Sequence, residues 1–219
     1  MEFQLGLYLK ERLIMHKTLF CDMDGVLADF NKAYSKIFNQ LIGGPIITKK
    51  EEALSWDWGT WYPGATPKVI KEAWKILRET KDFWQSLDIL DRQGLSDLRL
   101  LTYFNYDIYF VTSRLDTIGK SAMRQTQEWL EEWGFHGPNV IVTWQKNALA
   151  ALMRANVIID DKPEFFMPSN LDLNLEWEHI ALIDYPHNRD MFMAPNVIRY
   201  NSLHDALEPL LKQSASQLR

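Results

Sequence analysis

Two carboxylates stand two residues apart in Asp22-Met23-Asp24-Gly25, directly after the apolar run Lys17 to Cys21. Acids that close raise one another's pKa unless a cation lies between them, so the spacing suits a shared proton or a bound hard metal. A plain Asx turn with Gly25 relieving a positive φ is the structural alternative. Comparable groups follow other apolar runs: Thr112 and Ser113 after Val111, Lys146 at the start of a helical pattern, Asp160 and Asp161 after Val157 to Ile159. Each alone reads as a cap, a solvated lysine or a turn. Together, a nucleophilic acid, a second acid, hydroxyl donors, an ammonium and a further acid pair are the parts needed to bind Mg²⁺ and move a phosphoryl group.

Short buried strands are predicted at Lys17 to Cys21, Asp107 to Val111, Val140 to Val142, Val157 to Ile159 and Ile180 to Ile183. Helical patterns lie between them: Gly119 to Trp133 stopped by Gly134, Lys146 to Arg154, and a last helix opening at Asn201 or Ser202 with Asp205 completing a capping box. The alternation predicts an α/β, Rossmann-like parallel sheet with helices on both faces and ligands at the carboxyl ends of its strands. Far more chain separates the first strand from the second than the dozen or so residues a crossover requires. Within that insertion Asn31 to Leu41 reads as helix, and Thr66 then Pro67 reads as an N-cap and first turn continuing from Lys68 to Glu79. The division expected is a small helical cap over 31–88, a catalytic core from 15–30 and 89–219, and an amphipathic extension over 1–14 with no assigned role.

The chain has 219 residues, 47% of them hydrophobic and 24% charged, the composition of a globular protein rather than a disordered or fibrous one. Its net charge of −5 comes with no basic block, which argues against a nucleic-acid polymer as partner. A small anionic ligand would need a local metal ion or a few placed cations. A single cysteine, Cys21, points to the reducing cytoplasm. The first fourteen residues lack the unbroken apolar core of a signal peptide, and no apolar run is long enough to span a membrane.

The runs DMDGVLADF (Asp22 to Phe30), VTSR (Val111 to Arg114), Lys146 and IIDDKP (Ile158 to Pro163) resemble the four motifs of the haloacid dehalogenase superfamily of phosphatases. More narrowly, DMDGVLADF, DFWQSLDIL (Asp82 to Leu90) and EHIALIDYPHNRD (Glu178 to Asp190) resemble the 5′(3′)-deoxyribonucleotidases. The resemblance implies Asp22 as nucleophile, Asp24 as general acid and base, and Thr112, Ser113 and Lys146 as phosphate-binding groups. It implies Mg²⁺ held by Asp22, the main-chain carbonyl of Asp24 and Asp160, with Asp161 beside it. A nucleoside monophosphate would be the substrate, a deoxyribonucleotide by preference, and a homodimer is allowed.

Phe30 stands where these nucleotidases set a ring against the base, and Trp56, Trp58, Trp61, Phe83 and Trp84 enrich the insertion in large rings. A cap needs a core of its own, so not all of these can line a pocket. Arg114 stands where the family's animal members carry proline; it either supplies positive charge to the phosphate or pairs with Asp116 on the surface, the latter being favoured. Cys21 alternates to the side opposite Asp22, as a buried structural thiol. His187, Asn188 and Arg189 read either as a functional loop or as a solvated turn. Two other readings stay open: a phosphatase of another small phosphomonoester such as a sugar phosphate, and a non-catalytic binding protein on the same fold. No P-loop glycine run is present for a nucleoside triphosphate.

Overall fold

The computed structural model describes residues 16–167 and 177–217. The extension read over 1–14 therefore lies outside the described residues. Strand β1 (Lys17–Cys21) presents Leu19 and Cys21 to one apolar layer and Phe20 to another. It is covered on both faces, which is what its continuous apolar run requires.

The strands β2 (Tyr106–Thr112), β3 (Asn139–Val142), β4 (Val157–Asp160), β5 (His179–Ile183) and β6 (Val197–Tyr200) join β1 in one sheet. All pairings are parallel, in the order β3-β2-β1-β4-β5-β6. Seven helices accompany them among the described residues: α1 (Phe30–Ile42), α2 (Trp58–Trp61), α3 (Pro67–Glu79), α4 (Arg92–Thr102), α5 (Ala122–Glu132), α6 (Lys146–Met153) and α7 (Leu203–Ser216). This is the expected α/β, Rossmann-like architecture. Because β1 lies between β2 and β4, the strand order reverses there, and a crevice opens at the carboxyl ends of these three strands.

Local chemistry accounts for the element ends. Thr66 accepts from Val69 N, with Pro67 at the first helical position of α3, and Ser202 accepts from Asp205 N at the start of α7. Helix α5 begins at Ala122 rather than at Gly119, because Ser121 supplies the cap, accepting from Arg124 N. Three elements have no counterpart among those predicted, the single-turn helix α2 (Trp58–Trp61) being one. Strand β6 is a short, half-exposed edge whose residues give no clean alternation. Helix α4 carries a glycine in its first turn, and Gly94 is needed there: a Cβ would come within 2.7 Å of Leu203 on the packed α7.

Helices α1, α2 and α3 all belong to the segment between β1 and β2, and they share an aromatic core. Trp58 lies 4.9 Å from Tyr34 and 5.1 Å from Phe38, ring centre to ring centre. Lys50 ties this segment to the loops beyond β5 and β6, its ammonium donating to the carbonyls of Asp184 and Asn201.

Candidate active site

Parallel strands deliver their next residues to the carboxyl edge, and here they deliver the acids. Asp22 follows β1 and continues the ladder, its N–H donating to Ile159 O at 2.9 Å. Asp160 ends β4, and Lys146 opens α6 after β3. The Lys146 ammonium bridges two of the acids, 2.7 Å from Asp22 Oδ1 and 2.6 Å from Asp160 Oδ2. Asp22, Asp160 and Asp161 are all buried, with one oxygen from each lying within 4.8 Å of the others.

Those three acids against one ammonium leave two negative charges uncompensated if all ionise. Burial, and then the Asp160 charge, push the Asp22 carboxyl up from 3.8 to about 7. Asp161 is pushed well up by the same causes. Burial alone would lower the Lys146 ammonium, but the charges of Asp160 and Asp22 outweigh it and hold it above the usual lysine value. Asp161 Oδ1 is buried without a hydrogen-bond partner. A divalent cation fits this donor set: hard oxygen ligands, a matching charge deficit and an orphaned oxygen. Gly25 holds the acid loop close, at φ +85°, and a Cβ on it would sit 2.1 Å from Asp161 Oδ2. Asn188 is fully buried and donates to Asp161 O at 3.0 Å and to Ile183 O at 2.8 Å, so the loop after β5 braces the acid loop and is no solvated turn there.

Asp24 has a different partner. Arg114 Nε donates to Asp24 Oδ2 at 2.9 Å and Nη2 to Oδ1 at 2.7 Å, while Nη1 donates to Thr126 Oγ1 at 2.9 Å. The surface pair with Asp116 expected from the sequence does not form. Arg114 is buried, and Asp116 instead accepts from Ala122 N at 3.0 Å, at the start of α5. Thr112 Oγ1 lies 3.5 Å from Asp24 Oδ2, and Ser113 Oγ donates to Thr143 O at 3.0 Å.

A cavity of about 160 Å³ opens over these groups, lined by Asp22, Asp24, Thr112, Ser113, Lys146 and Asp161 on its polar side. Of the rings singled out in the sequence, Phe30, Trp56 and Trp84 line it. Phe30 stacks on Trp84 at 5.9 Å and on Trp74 at 6.1 Å. Trp58 and Phe83, expected against the base, do not reach the cavity. Trp58 fills the core between α1, α2 and α3, and Phe83 packs edge-on against Trp84 from behind at 5.1 Å. Trp61 stands beside Trp58, 5.0 Å away, in the same cluster. Trp74, Trp144 and Lys162 line the cavity without having been singled out for it, and Arg114, weighed from the sequence as a partner for the phosphate, lines it too. Lys162 lies within the motif run IIDDKP and Trp144 two residues before Lys146, a signal that sequence proximity offers; Trp74 offers none beyond its place in an apolar helix stripe.

The parallel sheet and its acid-lined strand ends define a hydrolase fold of the haloacid dehalogenase type. Two solved structures share it: a HAD family hydrolase from Deinococcus radiodurans R1, at TM-score 0.57 and 11% identity over 91% of this chain and 96% of that one, and a haloacid dehalogenase-like hydrolase from Burkholderia xenovorans LB400, at TM-score 0.55 and 12% identity over 94% and 100%. Within that class the chain belongs to the family described as 5′ nucleotidase, deoxy (Pyrimidine), cytosolic type C protein, whose model matches residues 16–213. It is 26% identical over 198 residues to the mitochondrial 5′(3′)-deoxyribonucleotidases of Mus musculus and Homo sapiens, covering 87% of this chain and 83% and 80% of theirs. The protein is accordingly a phosphoric monoester hydrolase of the nucleotidase type.

Proposed function

We propose that the protein hydrolyses nucleoside monophosphates, deoxyribonucleotides by preference, with Mg²⁺ and through an aspartyl-phosphate on Asp22. The observation that carries this reading is the buried cluster Asp22, Asp160 and Asp161, set against the single ammonium of Lys146 beneath an aromatic-walled cavity. Mg²⁺ would be held by Asp22, Asp160, Asp161 and the main-chain carbonyl of Asp24, and when bound it neutralises the acids and polarises the phosphoryl oxygens.

An Asp22 carboxylate oxygen attacks phosphorus in line, forming the acyl phosphate as the bond to the sugar oxygen breaks. Lys146, with Thr112 and Ser113, holds the phosphoryl oxygens as their charge redistributes. Asp24 gives a proton to the leaving oxygen, then takes one from the water that releases phosphate. Arg114 grips both oxygens of this carboxylate, and one of those two bonds must be released for it to carry the proton. The segment 31–88 acts as the cap that selects the substrate, with Phe30, Trp56 and Trp84 against the base. The single buried thiol, Cys21, supports a reducing compartment, the cytoplasm. No described helix is long and apolar enough to cross a membrane.

The test is phosphate release, with Mg²⁺ and with chelator, from deoxyribo- and ribonucleoside 5′- and 3′-monophosphates and from sugar phosphates. Release that needs Mg²⁺ and favours deoxynucleotides is the expected result; preference for sugar phosphates would overturn the substrate, and metal-independent release the cofactor. Asp22→Asn should abolish turnover with the fold intact, and substantial residual activity would sink the covalent route.

A further inference from the structure

Trp144 stands between Thr143, which is fastened to the phosphate wall, and Gln145, which is bonded back to Thr143. Thr143 N donates to Thr112 O at 2.8 Å, and Thr143 O accepts from Ser113 Oγ at 3.0 Å. On the other side, Gln145 N donates to Thr143 Oγ1 at 3.0 Å, and the next residue is Lys146. The backbone carrying the indole is thus fixed by the groups that face the phosphate. Among the described residues the indole has no hydrogen bond and no ring partner, and it is 63% exposed and lines the cavity.

That combination needs an explanation. A large apolar ring left in water forgoes the free energy that burial would supply, and a scattered surface residue would need no pinned mount. The other rings lining the cavity, Phe30, Trp56, Trp74 and Trp84, all come from the segment between β1 and β2, and each leans on a neighbouring ring or is buried. Trp144 comes from the sheet side, in the β3–α6 connection, and is the most exposed of the cavity's rings and the one with no ring partner among the described residues.

We infer that Trp144 is a specificity-determining residue, a second aromatic platform that the nucleobase covers once the phosphate is seated against Thr112, Ser113 and Lys146. This rests on the nucleotidase reading above and adds a named contact to it. Since the platform and the phosphate groups share one backbone stretch, the ring's point of attachment sits at a fixed distance from them. The platform therefore measures the span from phosphate to base, and a ligand that ends at its sugar leaves the ring wet.

The experiment compares wild type, W144A and W144F on deoxyuridine and deoxyguanosine 5′-monophosphates and on 2-deoxyribose 5-phosphate, which lacks only the base. Stacking on an aromatic ring makes W144A lose between about fivefold and a hundredfold in kcat/KM on the nucleotides, chiefly through KM, with W144F recovering most of it. Turnover of 2-deoxyribose 5-phosphate should stay within about twofold of wild type, since its contacts stop at the sugar. Thermal melts of the variants should match wild type, because the side chain is largely exposed. An unchanged KM for the nucleotides, or equal loss on all three substrates, would overturn the role of Trp144. Wild-type enzyme that turns over 2-deoxyribose 5-phosphate as well as the nucleotides would instead overturn the nucleotide reading, and this inference with it, a result visible before any variant is made.

Discussion

Arg114 grips Asp24 through both carboxylate oxygens, at 2.9 and 2.7 Å, from a side chain with no exposed surface. Bidentate geometry of this kind fixes direction as well as charge, so the carboxylate cannot swing freely in the cavity. Lysine has one donor point and cannot reproduce it.

Removing one partner of this pair should leave the other's charge stranded. Arg114→Met is expected to cost about 3 kcal/mol in urea denaturation and to lower kcat, whereas pairing it with Asp24→Asn should recover part of the stability while leaving the enzyme inactive. Strictly additive losses in the double variant would show that the two side chains do not interact.

Metal and pH should act on the same acids. The folded state holds the Asp22 proton up to about 7, against an ordinary 3.8, so between these values it binds more protons than the unfolded chain does. The metal-free protein therefore loses stability as pH rises through that window, and a cation relieves the loss. The rise in melting temperature on adding Mg²⁺ is expected to be larger at about pH 8 than at about pH 5.5, where protons compete for the same oxygens. A larger rise at the lower pH would refute the assignment of these carboxylates.

Trp58 and Phe30 should separate stability from selectivity. Trp58→Ala empties the core of the α1–α3 segment and should cost about 3–5 kcal/mol, with KM for nucleotides little changed below the melting range. Phe30→Ala should raise KM for nucleotides far more than for 2-deoxyribose 5-phosphate. The reverse pattern, measured by calorimetry and steady-state kinetics, would exchange their roles.

His187 should make the fold acid-sensitive. Its ring is stacked on Tyr185 at 5.1 Å and set against Trp56 at 4.4 Å, and burial lowers its pKa from 6.5 to about 4. The unfolded chain takes up this proton first, so the contribution is present above pH 6.5 and is lost as pH falls toward 4. For a half-buried ring that amounts to about 2 kcal/mol after solvent screening. Urea midpoints for wild type and His187→Gln should converge on acidification; parallel curves would remove His187 from the account.

The floor of the site is legible in the sequence for a geometric reason. Asp22, Thr112, Lys146 and Asp160 each stand at or just beyond the end of an apolar run, and parallel strands bring all such ends to one edge. The walls are not legible, because a ring in an amphipathic helix shows its neighbours but not which helix it will meet. Trp58 and Trp74 look alike in sequence, yet one is buried in the cluster and the other reaches the cavity. Arg114 misleads for a related reason. Its nearest acid, Asp116, is occupied by the start of α5, and the partner it takes lies 90 residues earlier in the chain.

Trp84 borders both halves of the cavity, with Phe30 stacked on its ring and the Arg114 guanidinium 4.9 Å from its centre. Its indole N–H is also committed, to Leu115 O at 2.7 Å. Natural or laboratory variation at this residue will therefore be pleiotropic, since any change that reshapes the pocket also loosens the brace behind Asp24. Divergence in substrate preference has its open routes at Trp56 and Trp144, whose rings can be exchanged without reaching the acid, and lineages that change their base should carry the record of it there.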